Sequence, residues 1–222
     1  MGQTKNLIIV GAGGAGYEAL WIVRRINATT PTPEWNALGF VDDAAAKLDR
    51  GMGGVRVLGG VGKVFDAQPK DTYFHCAIGS NEARLSIARQ LAAQGFPAAT
   101  LIDPSAVVAE SVRIGQGCFV GPLAFVGPQA IIGQHVLINT SASVGHDAWL
   151  ADGVQVCPGA RVSGHARMEE GAFLGSNAVV TPNIMIGAWT TVGACSLAFR
   201  DVPARSTVVG VPGKTITPPP SP

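Results

Sequence analysis

The chain has 222 residues, of which 47% are hydrophobic and 14% charged, with 16 Lys and Arg against 15 Asp and Glu. That length suits one large or two small domains with a real core, and the near-neutral balance excludes a nucleic-acid partner. The four cysteines lack CxxC or zinc-finger spacing, no basic-then-apolar leader opens the chain, and no apolar run reaches the ~20 residues of a membrane span. The expectation is a cytoplasmic protein with reduced cysteines and no membrane insertion.

Residues 6–10 (NLIIV) read as a buried strand, followed by GAGGAG at 11–16 and a helical stretch over 17–26. Residues 38–41 (LGFV) read as a second strand ending at Asp42 and Asp43, and 72–79 (TYFHCAIG) as a later one. A helix over 81–95, with Asn81 as its cap, and a last strand at 98–102 complete the alternation. Alternating strands and helices predict a small open parallel sheet over residues 1–103, Rossmann-like in class.

Gly11, Gly13 and Gly16 form G-x-G-x-x-G between a strand and a helix, the context that this pattern requires. Backbone amides there, Gly14 among them, and the helix N-terminus suit a diphosphate, with Asp42 and Asp43 where a ribose or base would lie. The pattern leaves open whether the ligand is NAD or a nucleotide-sugar, and a tight turn without a ligand would carry the same glycines.

From Val108 the grammar changes. Stepping by six through Ile114, Val120, Val126, Ile132, Ile138, Val144, Leu150, Val156, Val162, Met168, Leu174, Val180, Ile186 and Val192 gives an aliphatic or Met at all fifteen positions. The next residue is usually small, and Ala often stands two places before. A helix repeats near 3.6 and a hairpin sheet alternates by two, so a strict six fits neither. It fits a parallel β-helix over residues 104–216, a prism with three short strands per 18-residue coil, in which the small residues are expected at the bends. The unbroken register predicts no long inserted loop. Prisms of this kind associate by flat faces, so a homotrimer is expected. The tail at 217–222 (TPPPSP) reads as disordered.

The prism contains His135, His146 and His165. His146 lies two places past Val144, at an outward corner, where an imidazole can act as a base near neutral pH. Asp147 could fix its tautomer, although neighbours along a strand point apart and only a corner lets them meet. One coil further on is Gly164, where a missing side chain leaves room for a thioester and an N–H could stabilise an oxyanion. His165 should lie near this corner, yet it reads better as a solvated surface residue, and His135 more strongly so. A zinc site of the β-helical carbonic anhydrase kind needs a close pair of histidines, and separations of 11 and 19 residues offer none, so no metal is expected.

Along almost its whole length the chain resembles the hexapeptide-repeat nucleotide-sugar and sialic-acid acetyltransferases, which fold as left-handed β-helices. The matching segments are GAGGAG (11–16), GFVDD (39–43), AIGSNEAR (77–84), LIDPSA (101–106), INTSASVGHD (138–147) and VVGVPGK (208–214). The resemblance implies a homotrimer with active sites at subunit interfaces. His146 would be the general base, assisted by Asp147, with Asn139 and the residue at 155 near the acceptor sugar. The Gly loop with Asp42 and Asp43 would bind the nucleotide. Acetyl-CoA, the acyl donor, would lie along the prism near Gly164, His165, Ser176 and Ala194, with Lys214 near its nucleotide end. Two positions depart from the family pattern: Ala15 and Gln155 each stand where many members have histidine, which bears on the identity of the acceptor.

The function implied is N-acetylation of a nucleotide-linked amino sugar for surface glycan or polysaccharide synthesis. O-acetylation of a sugar or small hydroxylated acceptor is the alternative, and the base serves both. A nicotinamide-dependent oxidoreductase would leave the GHD and VPGK motifs unexplained. A purely structural trimer would leave the base over a glycine unexplained.

Overall fold

The computed structural model describes residues 3–44 and 51–217. It divides into two compact units, Met1–Pro104 and Ser105–Pro222. Residues 218–222, most of the tail expected to be disordered, lie outside the described residues.

The first unit runs β1 (Lys5–Val10), α1 (Gly14–Ala28), β2 (Trp35–Val41), β3 (Gly51–Met52), β4 (Val55–Gly59), α2 (Val61–Asp66), β5 (Tyr73–Cys76) and α3 (Asn81–Ala93). The strands lie in the order β3-β4-β2-β1-β5. β1 pairs in parallel with both β2 and β5, because a helix carries the chain back across the sheet between parallel partners. Leu7, Ile8, Ile9 and Val10 are all buried, as a strand covered on both faces requires. Beneath them Phe65 packs edge-to-face on Phe96 at 4.9 Å and on Phe74 at 6.4 Å, within a core that includes Ile8, Val10, Val41 and Leu91.

Three sequence expectations are corrected here. The sheet is not wholly parallel, since β3 and β4 form an antiparallel hairpin that the sequence reading did not include, followed by α2. The cap of α3 is Ser80, whose Oγ accepts from the Ala83 N–H at 3.3 Å. Asn81 is the first helical residue, and its Oδ1 accepts from the buried Arg84 guanidinium at 2.9 Å. The expected last strand at 98–102 does not join this sheet, to which Ala98 contributes only a single parallel bridge at Phe74.

The second unit is the left-handed β-helix. Every strand from Val107 to Ala198 is two residues long and recurs every six residues. Partners lie eighteen residues apart, as in Phe125↔Ser143, Ile131↔Trp149 and Leu137↔Gln155, so three parallel sheets form the three faces. The hexad aliphatics from Val120 to Val192 are buried, and the alanines two places before them, such as Ala124, Ala142 and Ala160, are buried beside them. Most hexads therefore fill the interior with one large and one small side chain, while Val136 and Val154 take the place of the alanine in two others.

The bend is not at the small residue. Left-handed backbone falls three places after the aliphatic, at Gln129, His135, Ser141, Asp147, His165 and Asn177, with φ between 54 and 62°. The small residue one place after the aliphatic serves coil stacking instead. A Cβ on Gly145 would stand 2.6 Å from the Gly164 nitrogen, and one on Gly127 2.8 Å from the His146 nitrogen. His135, expected to be solvated, is 4% exposed, because its ring lies over Gly117 of the preceding coil and fills the space that a Cβ there would take.

The eighteen-residue step ends with the last coil. Val192 pairs with Val208 and Ile186 bridges to Val202, both sixteen residues on. Lys214–Ile216 then folds back antiparallel on Thr207–Val209 and closes that end of the face.

Candidate active site and family

In the first unit the Gly loop lies at the carboxyl ends of β1 and β5, beside a cavity of about 490 Å³ lined by Gly11, Gly13, Gly14, Ala15, Asp42, Asp43, Val61, Ala77, Ile78 and Gly79. Four glycines divide three jobs. Gly11 has φ of 105°, and a Cβ on it would stand 2.6 Å from the Ala77 carbonyl oxygen. Gly16 packs α1 so closely on the loop that a Cβ would fall on the Gly11 carbonyl. Gly13 and Gly14 meet nothing within 4 Å and leave the backbone open to a ligand. No side chain caps α1, and its first turn has no acidic residue, so its N-terminal amides keep their pull on an anion.

Asp42 and Asp43 line this cavity while bonding to backbone. Asp42 Oδ2 accepts from the Ala12 N–H at 2.9 Å, and Asp43 Oδ1 accepts from the Val61 N–H at 2.9 Å. These bonds fix the shape of the cavity wall. Val61, Ala77, Ile78 and Gly79 were not singled out as site residues in the sequence; the AIGS segment after β5 was the available signal.

In the second unit, His146 Nδ1 is 2.8 Å from Asp147 Oδ2. In the neutral ring, a bond to an ionised carboxylate places the proton on Nδ1 and leaves Nε2 its lone pair. Neighbours on a strand could not meet in this way. Asp147 is the left-handed corner residue, at φ 57°, and that turn brings its carboxylate round to the imidazole. Gly164 lies directly below: a Cβ on it would stand 2.7 Å from His146 Nε2. The Gly164 N–H donates to no acceptor among the described residues. The imidazole Nε2 and this N–H thus share one corner.

His165, read from sequence as a surface residue, belongs to the same cluster. It follows Asp147 by one whole coil, donates its backbone N–H to the His146 carbonyl at 3.0 Å, and sets its ring edge-to-face with that of His146 at 5.0 Å. Its Nε2 lies 3.9 Å from Asp147 Oδ2. The nineteen-residue separation that seemed to offer no close pair is one coil plus one residue, which on this fold is adjacency.

The other expected residues lie elsewhere on the prism. Asn139 Nδ2 donates to the Val156 carbonyl of the next coil at 2.9 Å, and Gln155 Nε2 to Cys157 Sγ of its own coil at 3.7 Å. Gln155 Oε1 is buried with no hydrogen-bond partner among the described residues. Ser176 and Ala194 stack one coil apart on a different corner. Lys214 lines a cavity of about 310 Å³ with Arg200, a cation that the sequence reading did not single out.

A left-handed hexapeptide prism with a carboxylate-held histidine over a glycine defines an acyltransferase of the β-helical class. Residues 6–91 match the model of the PglD N-terminal domain. Over 97% of this chain and 99% of the other, the structure is similar to a mutant perosamine N-acetyltransferase from Caulobacter crescentus in complex with CoA and GDP-perosamine, with 30% identity and a TM-score of 0.86. The acetyltransferase domain of PglB from Neisseria gonorrhoeae is 31% identical over 96% of this chain and all of that one, with a TM-score of 0.85. WeeI from Acinetobacter baumannii is 26% identical over the same shares, with a TM-score of 0.85. A serine acetyltransferase from Synechococcus elongatus is 49% identical over 43 residues, which span 19% of this chain and 18% of that protein. The chain belongs to the PglD family of hexapeptide-repeat nucleotide-sugar acetyltransferases.

Proposed function

We propose that this chain transfers the acetyl group of acetyl-CoA to the amino group of a nucleotide-linked sugar for surface glycan or polysaccharide synthesis, with His146 as general base. The observation that carries the reading is the His146–Asp147 pair standing over Gly164. As the amine nitrogen attacks the thioester carbonyl, His146 Nε2 takes its proton, and Asp147 stabilises the imidazolium that results. The Gly164 N–H donates to the developing oxyanion. Collapse of the tetrahedral intermediate breaks the C–S bond, and the imidazolium returns the proton to the departing thiolate.

The acceptor's nucleotide fits the cavity at Gly13 and Gly14, where the α1 amides face a diphosphate and Asp42 and Asp43 face the ribose or base. The relatives with CoA, acetyl-CoA or GDP-perosamine bound support the choice of both substrates. Arg200 and Lys214 suit the phosphates of CoA, and Ser176 and Ala194 its pantetheine arm. Asn139 and Gln155 are assigned to the acceptor sugar, for which the buried Gln155 Oε1 offers an unused acceptor. A homotrimer is supported by exposed apolar side chains on the prism, Val107, Phe125, Ile131 and Met185 among them. A cytoplasmic location accords with four free cysteines and with the absence, among the described residues, of any helix long and apolar enough to cross a membrane.

The test is thiol release from acetyl-CoA across nucleotide-linked amino sugars and hydroxylated acceptors, beside His146→Ala. Turnover on an amino sugar, lost in a folded mutant, supports the reading. Turnover only on a hydroxyl moves the chain to O-acetylation, and failure to bind acetyl-CoA overturns the transferase.

A further inference from the structure

His146, Asp147 and His165 each offer one ligating atom, and these three atoms lie within 4.8 Å of one another. Two of the separations are 2.8 Å, between His146 Nδ1 and Asp147 Oδ2, and 3.9 Å, between Asp147 Oδ2 and His165 Nε2. Donor atoms around a tetrahedral ion with bonds near 2.1 Å stand about 3.4 Å apart. The three side chains are 61%, 42% and 54% exposed, so nothing packed around them opposes the small rotations that would bring them onto such an ion. The backbone, by contrast, is held: the His165 N–H bonds to the His146 carbonyl, and Asp147 and His165 occupy the same left-handed position in successive coils. Two imidazoles and one carboxylate on a fixed frame, open to solvent on one side, form a donor set for borderline transition ions and not for Mg²⁺ or Ca²⁺.

We infer that this corner binds a divalent transition ion of the zinc type, as a reversible inhibitor and not as a cofactor. Inhibition follows from the imidazole itself and rests on the reading of His146 as base. Whichever ring nitrogen ligates the ion, the proton of the neutral ring resides on the other, so no lone pair remains to accept a proton from the acceptor. The ion also draws Asp147 away from its role in holding the tautomer.

The experiment uses the full, tag-free chain, treated with chelator and carrying Cys195→Ser, because Cys195 is an exposed thiol that could bind zinc independently. Zn²⁺ is titrated against a chromophoric chelator, and Co²⁺ uptake is followed by its visible absorption. Parallel titrations use His165→Gln and Asp147→Asn, each checked for folding by melting temperature. The expected result is one ion per chain, with affinity reduced at least about tenfold in both variants. Thiol release by the chain with His165 intact should fall with occupancy and return on adding chelator. No stoichiometric uptake, or uptake equally tight in His165→Gln, overturns the site. Full activity at saturating zinc overturns the inhibition. A chain without turnover before any metal is added would count against the transferase reading, and the binding titration would still decide the metal site.

Discussion

Gly164 lies one coil below His146, so close that a Cβ added to it would stand 2.7 Å from the imidazole Nε2. That Cβ would meet the end of an exposed side chain, which can swing away at little cost to the fold. A Cβ on Gly145 would instead stand 2.6 Å from the Gly164 backbone nitrogen, which cannot. Gly164→Ala should therefore leave the melting temperature within about 2 °C of wild type and lower turnover tenfold or more, as base and oxyanion donor are pushed apart. Gly145→Ala should cost about 2 kcal/mol or more through overpacking, seen as a melting temperature lower by about 5 °C. Thermal melts beside steady-state rates separate the two.

Removing the proposed base should cost more than misaligning it. His146→Ala is expected to lower kcat by about 10²–10⁴ with the fold intact. Asp147→Asn offers Nδ1 an amide in place of a carboxylate, and the imidazolium loses its counter-charge. Its kcat should fall by roughly 10² with little change in KM for acetyl-CoA. Equal rates for Asp147→Asn and wild type would refute the pairing.

In the Gly loop, space decides which glycines are structural. Gly16→Ala drives a methyl onto the Gly11 carbonyl and should prevent stable folding of the first unit. Gly13→Ala meets open space and should leave stability unchanged while weakening nucleotide-sugar binding about tenfold, measured by calorimetry. If Gly13→Ala bound the sugar as tightly as wild type, the loop would be only a turn.

Burial pushes the Cys76 thiol up from 9.0 to about 12, with the charge of Arg84 acting weakly against it. The folded state therefore holds this proton after the unfolded chain has released it. Stability is at its full value below pH 9.0 and should fall as pH rises toward about 12, by at most ~1.4 kcal/mol per unit from this group. Denaturation of wild type and Cys76→Ala across that window should show a shallower slope for the mutant. In the same protein Cys195 should alkylate readily near neutral pH, whereas the buried Cys76, Cys118 and Cys157 should react only on unfolding.

The hexad was legible because it is written locally. Each aliphatic from Val120 to Val192 has to face inward, whatever its distant partners, so a period of six in the sequence is already a three-sided prism. The Gly loop was legible because strand, G-x-G-x-x-G and helix follow one another in the chain and Gly16 answers to the nearby Gly11 carbonyl, although the close approach that Gly11 permits is to the distant Ala77 carbonyl. From these the sequence alone determined the fold class, and with the GHD motif it pointed to His146, Asp147 and Gly164. Other features depended on contacts that no local pattern records. The left-handed bend falls at Asp147 and His165 and also at Leu123 and Trp189, because closing the coil imposes it even where the residue does not favour positive φ. Asn81 and Ser80 are both good caps in sequence, and the buried Arg84 claimed the first of them for the core. His135 and His165 occupy the same position three places after an aliphatic, yet one is sealed over Gly117 and the other stands open beside His146. Only the stacking of successive coils, eighteen residues apart in the chain and one strand spacing apart in space, decided which histidine was filler and which joined the site.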